Sequence, residues 1–372
     1  MKILKTFTYD SSQKNSSAVK TLQQFSTTQQ QNEIPTITSY REGKSHLHIT
    51  PSKGKSFNLC ASHSEEYVCC NMHVLDAVSN CPYDCSYCFL QNYLNDGTLK
   101  VTGDIQSMVD EVKQKTATQP WRFFRIGTWE LGDSLALDPI TNTSRELIEK
   151  FAELPNVILE LRTKSDEIQN VLDAKHQGRT VLAWSVNPEE VVHKEEFRTA
   201  SMEKRINALE QVQQAGYLLA LHFDPTIYYD NWKQGYSELI DNIFSKVSAD
   251  RITWISLGSL RFNPEMKRTI EQNFPGSKLT LPEMVAGNDG KTRYIKPLRI
   301  EMYKFITACL QKYFPDDNPP FLYFCMERWD VWEEVFSYSP ESIGHLDYLM
   351  TKSLDLRFPD LMKISPDLNK YI

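Results

Sequence analysis

The sequence has no run of about 18 apolar residues, so it offers no candidate for a membrane-spanning helix, and no membrane partner is expected. Its first residues, MKILKTFTYDSSQKNSS, carry charge but lack the apolar segment that a secretory signal requires. Positive charge is not in excess either. The 41 Lys and Arg against 48 Asp and Glu give a net charge of −7, which argues against bulk, non-specific affinity for nucleic acid. Between residues 89 and 308 there is no cysteine. The eight cysteines are therefore not spread like a secreted disulfide framework. Three fall together at Cys81, Cys85 and Cys88, and Cys69 and Cys70 are adjacent. Thiols grouped this closely suggest cluster or metal ligation in a reducing compartment, and a cytoplasmic setting is expected.

The charge is uneven along the chain. Residues 1–60 hold eight Lys/Arg and three acids, and the rest of the chain is acidic. A basic segment on an acidic body could touch phosphates, or it could be a solvated leader. Residues 11–33 are rich in Ser, Gln and Thr, and residues 34–60 carry Pro35, Gly43, Pro51 and Gly54. Residues 1–60 therefore read as a flexible, irregular leader.

From about residue 70, short apolar runs alternate with amphipathic stretches. The runs are Met72–Val78, 121–130, 156–165, 179–188, 216–225 and 251–262. Helices are expected near 103–116, 143–153, 166–175 (a short one), 202–215, 234–247 and 264–273. The runs are β-branched or aromatic and apolar on both faces, as strands inside a parallel sheet must be. Six such alternations imply an α/β fold, a partial (β/α)6 barrel with parallel strands over residues 61–274. Beyond 274 the alternation stops. Asn288-Asp289-Gly290 signals a tight hairpin, with Lys291, Arg293, Lys296 and Arg299 on its second arm. A helix near 300–313 and a strand-like FLYFCMERW follow, so residues 275–372 read as a hairpin and helical extension.

Polar residues accumulate at the C-terminal ends of the strands: Thr128 and Glu130, Lys164 and Ser165, Ser185 and Asn187, Asp224, Ser259 and Arg261. In parallel α/β folds that edge carries the site, because the loops there converge on one mouth. The spacing Cys81-x3-Cys85-x2-Cys88 supplies three thiolates from one loop after the first strand. A 4Fe–4S cube held by three thiolates keeps one iron without a protein ligand. That iron can chelate the amino and carboxylate groups of S-adenosylmethionine (SAM), and a reduced cluster can cleave SAM to a 5′-deoxyadenosyl radical. Tyr87, before the third cysteine, suits an adenine contact. The competing reading is a zinc site, with Cys69, Cys70 or His73 as the fourth ligand.

The segment SNCPYDCSYCFLQNYLN (79–95) resembles the cluster loop of the spore photoproduct lyase family, a branch of radical SAM proteins that repairs a thymine dimer in DNA. The resemblance continues through RIGTWELGDSLALD (125–138), LRTKS (161–165), VLDAKHQGRTVLAWSVNP (171–188), FDPTIYYDNWKQGY (223–236) and WISLGSLRF (254–262). It implies that Cys81, Cys85 and Cys88 bind the cluster and that Glu130 contacts the SAM amino group. Lys164 would neutralise the SAM carboxylate, Ser185 and Asn187 would hydrogen-bond SAM, and Arg293 and Tyr294 would contact DNA beside the lesion. On the residues alone, Glu130 and Lys164 also read as a structural ion pair, Ser185 and Asn187 as caps, and Arg293 as a solvated hairpin charge.

Two positions depart from the family pattern. Thr128 stands where the family enzyme has its hydrogen-donating cysteine, and Phe89 stands where it has a relay tyrosine. An alkyl alcohol O–H is too strong to donate a hydrogen atom and phenylalanine has no labile hydrogen, so the substrate or the quenching route is expected to differ. Cys325 is a candidate substitute donor, or a small buried core residue. The leading reading is a photoproduct-lyase-like radical SAM enzyme acting on a damaged nucleic-acid base and reduced by a flavodoxin or ferredoxin. The alternatives are a radical SAM enzyme for a modified nucleoside, RNA or peptide, and a non-catalytic zinc- or cluster-bearing nucleic-acid-binding module.

Overall fold

The computed structural model describes residues 4–31, 37, 39–60, 66–315 and 317–372. Its centre is a sheet of seven parallel strands: β1 (His73–Leu75), β2 (Phe124–Gly127), β3 (Val157–Thr163), β4 (Thr180–Ser185), β5 (Leu218–Thr226), β6 (Ile252–Ser259) and β7 (Phe321–Phe324). They lie side by side in chain order, with Phe57–Leu59 added antiparallel beyond β1. Residues of β4 and β6 are buried without exception, which explains why these runs carry no polar alternation.

The sheet is curled. Trp254 on β6 donates its indole N–H to Glu160 Oε2 on β3 at 2.7 Å, although β4 and β5 lie between them in the sheet. His222 Nε2 on β5 sits 3.1 Å from Glu160 Oε1, and its Nδ1 is 2.6 Å from Ser256 Oγ. Such contacts require the two halves of the sheet to face each other across an interior, the geometry of an open barrel. Helices cover the outer face, several with the caps their sequences offer. Asp104 accepts from Ser107 N and Ser201 from Lys204 N, starting Ile105–Thr116 and Met202–Gln214.

Three expectations are corrected. The segment 166–175 forms turns, not a helix. Ser165 Oγ accepts from Glu167 N, and Asn170 is tied to Arg145 and to the carbonyl of Asp138. Local side-chain bonds there satisfy groups that a one-turn helix could not. The fold continues past 274: helix Lys296–Gln311 leads into β7, a seventh parallel strand, and the hairpin (Met284–Ala286 with Thr292–Tyr294) is an insertion before it.

The third correction concerns residues 1–60, read as a flexible leader. Their described part is ordered. Thr6–Tyr9, Gln29–Gln30 and His46–Thr50 join Leu99–Thr102 and Val78–Ser79 in a second, five-stranded sheet. Leu47, Ile49, Val19 and Leu22 are fully buried in its core. The apolar residues are too sparse to announce a sheet locally, and the partners that bury them are 50 residues downstream. The C-terminal helix Ile343–Arg357 is anchored by Asp347, which takes Arg125 at 2.9 Å and Arg122 at 2.7 Å.

Candidate active site

Because the seven strands are parallel and adjacent, the residues that follow each strand share one edge. That edge carries the cysteine loop after β1, Thr128 after β2, Lys164 after β3, Asn187 after β4, Asp224 near the end of β5, Arg261 after β6 and Cys325 after β7.

The cysteine loop is pinned at several points. Asn80 adopts the left-handed conformation, φ 67°, which asparagine tolerates. Its carbonyl oxygen Oδ1 accepts from Cys81 N at 2.8 Å while its Nδ2 donates to Gly97 O at 2.6 Å. Asp84 and Cys85 pair antiparallel with Phe197 and Glu196. Ser86 donates to the Glu195 carboxylate, and Cys88 N bonds to Cys85 O at 3.1 Å. The three sulfurs share one neighbourhood: burial raises the Cys81 and Cys85 thiol pKa values, the latter to about 12, and Cys88 adds to both shifts. Among the described residues, no three His, Cys, Asp or Glu side chains are gathered as a single-ion site would need. A cube that takes one thiolate on each of three irons spreads its ligands wider, and three thiols from one short loop, with no fourth donor gathered beside them among the described residues, fit it. The fourth ligands considered for zinc lie elsewhere. His73 is stacked on Phe57 and edge-on to Phe124, and burial together with Arg122 and Arg125 holds its pKa down to about 3. Cys70 sits beside Cys69 and Arg125.

Beneath the loop lies a buried carboxylate, Glu196, which the sequence reading passed over. Tyr87 donates its phenol to it, Asn187 Nδ2 donates at 3.0 Å, and Arg205 Nη2 pairs with it at 2.6 Å. Burial opposes the charge, but Arg205 and then Lys164, with the Tyr87 and Asn187 bonds, outweigh it and hold the carboxyl down to about 2. Asn187 also accepts from Tyr236 at 2.9 Å, and the Ser185 carbonyl accepts from Arg205. Tyr87 and Asn187 thus serve this network directly. Lys164 Nζ lies 5.8 Å from the Tyr87 ring centroid, and its backbone N–H donates to Asp133 Oδ2 at 2.7 Å. Asp133, also unflagged by sequence, accepts from Thr163, Leu135 and Ala136 and so ties the β2 loop to the end of β3. The Gly-Asp-Ser turn signal at 132–134 was the available clue.

Glu130 follows β2 and sits beside Cys60 and Asp76. Cys60 Sγ is 3.6 Å from its Oε1, and after burial its charge is the largest influence raising the Asp76 pKa to about 6. At the far end, Arg261 Nη1 pairs with Asp224 Oδ1 at 2.9 Å, and its Nη2 is 3.2 Å from Cys325 Sγ. Burial and then Asp224 push the Cys325 thiol up, against the pull of Arg261, so it stays S–H. Cys325 is half-buried, not a core residue.

Arg293 and Tyr294, the expected DNA contacts, are interior. Arg293 is 2% exposed, pairs with Asp289 at 2.6 Å and lies over the Tyr67 ring. Tyr294 is fully buried and accepts from Tyr228 N. Arg293 is therefore not a solvated hairpin charge either. Lys291, part-exposed, is the hairpin cation beside Arg261 and Cys325. Thr128 is buried with its hydroxyl 2.7 Å from Ser134 Oγ, while Phe89 is 47% exposed against Tyr93. No helix among the described residues is long and apolar enough to cross a membrane.

A family model described as spore photoproduct lyase matches residues 7–324. The chain is 29% identical over 251 residues to the spore photoproduct lyase of Bacillus subtilis (strain 168), covering 66% of this chain and 71% of that protein. It is 28% identical over 253 residues to that of Geobacillus sp. (strain Y412MC61), with the same coverage. In fold it resembles spore photoproduct lyase complexed with dinucleoside spore photoproduct, with TM-score 0.75 and 21% identity over 86% of this chain and 98% of that one. The match runs from the N-terminal sheet through β7, and with the three-cysteine loop at the barrel mouth it identifies the cofactors as a 4Fe–4S cluster and SAM: the chain belongs to the spore photoproduct lyase family and is an enzyme of radical SAM type.

Proposed function

We propose that this enzyme acts on a damaged thymine in DNA, opening a photoproduct as the name of its relatives describes. The observation that carries the reading is the family match over 7–324, with Cys81, Cys85 and Cys88 in one loop at the strand-end mouth. When bound, the cluster and SAM supply a radical that removes a hydrogen atom from the substrate. The chain's own residues hold and orient. Cys81, Cys85 and Cys88 would hold the cluster, Lys164 would neutralise the SAM carboxylate and Glu130 would contact its ammonium. Tyr87, Ser185 and Asn187 shape the nucleoside side through the Glu196 network. Arg293 and Tyr294 on the hairpin contact the substrate beside the lesion, and the part-exposed Lys291 next to them meets its phosphate. A flavodoxin or ferredoxin in the cytoplasm delivers the electron.

Cys325 closes the reaction in this reading. Its S–H bond breaks, a C–H bond forms on the product radical, and a thiyl radical remains. One electron from the same low-potential donor and one proton from water restore the thiol. The raised thiol pKa and the Arg261–Asp224 clamp support this role, since only the protonated sulfur has a hydrogen atom to give.

Anaerobically reconstituted enzyme, given SAM, reductant and a dinucleoside spore photoproduct in D2O, is expected to yield 5′-deoxyadenosine and thymine carrying solvent deuterium. In Cys325→Ala the 5′-deoxyadenosine should persist while the deuterium is lost. Absence of product from the wild type, with 5′-deoxyadenosine still formed, would favour a second reading: a modified nucleoside, RNA or peptide as substrate. The locked Thr128 hydroxyl and the exposed Phe89 ring support that alternative. Retention of deuterium in Cys325→Ala would remove the donor role alone.

A further inference from the structure

The N-terminal layer reaches the cysteine loop through one short segment. Helix Tyr40–Gly43 is wedged against residue 97: a Cβ on Gly43 would fall 2.1 Å from the Gly97 carbonyl carbon, so only glycine permits this approach. Gly97 N in turn donates to Ile37 O at 2.9 Å, and Gly97 O takes the Asn80 side chain beside Cys81. The wedge places two side chains on the loop. The Tyr40 phenol lies 3.9 Å from Cys88 Sγ, positioned to donate to it. Lys44, fully buried, sits 4.2 Å from the Tyr40 ring centroid, pairs with Asp84 at 2.9 Å and donates to the Tyr83 carbonyl.

We propose that Tyr40 and Lys44 are positioning residues that tune the reduction potential of the cluster: the Tyr40 O–H bonds the Cys88 thiolate, and the Lys44 ammonium is held under that phenol by Asp84. A hydrogen bond to a ligating sulfur, and a buried cation near it, stabilise the more negative reduced cluster and raise its potential. The inference rests on the cluster reading but not on the substrate. It gives the N-terminal sheet a chemical task, since without it neither side chain would reach the loop.

The test compares wild type and Tyr40→Phe after anaerobic reconstitution, using potentiometric titration followed by electron paramagnetic resonance, with iron, sulfide and circular dichroism measured on both. Tyr40→Phe is expected to keep the wild-type fold, iron and sulfide, and to titrate at a lower potential. Tyr40→His, which restores a ring N–H, should return the potential part of the way. An unchanged potential in fully loaded Tyr40→Phe overturns the inference. So does a Tyr40→Phe protein that unfolds or takes no cluster, since Tyr40 would then be a structural post. A wild type that binds no iron or sulfide would instead sink the cofactor reading itself.

Discussion

Replacing Cys81, Cys85 or Cys88 by alanine is expected to abolish 5′-deoxyadenosine formation and to leave protein that reconstitutes with little iron or sulfide. The loss should exceed the roughly 10–100-fold that follows removal of a partner outside the ligand shell. Each thiolate would take a different iron, and among the described residues the other candidates, Cys69, Cys70 and His73, are engaged elsewhere. The fold should survive, because the loop is held by Asn80, the Glu196–Cys85 ladder and the Ser86–Glu195 bond. The measurement is iron and sulfide content with product chromatography, against a circular dichroism control. Alanine variants that keep a full cluster and wild-type 5′-deoxyadenosine would show that these thiols are not the ligands.

Arg205→Met should cost about 3–5 kcal/mol of stability at neutral pH. Both partners of the Arg205–Glu196 pair are wholly buried, so removing the guanidinium strands a carboxylate with Tyr87 and Asn187 as its remaining direct partners. The double variant Arg205→Met/Glu196→Gln should recover part of that loss, since no unpaired charge is left inside. The pH dependence has a definite sign. Glu196 has a folded pKa of about 2, below its ordinary 4.5. Its contribution is therefore present above about pH 4.5 and fades as pH falls toward 2, where the folded carboxyl also takes a proton. Urea unfolding at pH 7 and pH 3.5 checks both points: the gap between wild type and Arg205→Met should narrow at the lower pH. A gap under about 1 kcal/mol at pH 7 would mean that the pair contributes little. Because Glu196 also pairs its backbone with Cys85, the variant should bind its cluster less tightly too.

The parallel sheet was legible in the chain because its strands are buried on both faces. Six of the seven strands announce themselves as mainly apolar runs separated by amphipathic stretches, and the cysteine spacing names its own chemistry. The seventh, Phe321–Phe324, was visible as a strand but not as a member of the sheet, since the hairpin insertion breaks the rhythm that marks the others. The N-terminal sheet was hidden for a different reason. Thr6–Tyr9 and His46–Thr50 are short, polar at alternate positions and flanked by Ser/Gln-rich sequence, so local composition argued for disorder.

Among the site residues, the division follows range. The three thiolates come from eight consecutive positions, and the polar residues at strand ends sit at one edge by topology alone. What the site residues touch was settled by contacts between distant positions. Glu196 with Tyr87, Arg261 with Asp224 and Cys325, and Tyr40 with Cys88 are examples. The same packing turned Arg293 and Tyr294 inward. Local sequence encodes element type and ligand spacing, because periodicity and loop length are near-neighbour properties. The partner of a buried charge is chosen by whichever distant segment the curled sheet brings against it, and that choice exists only once the open barrel has curled around its interior.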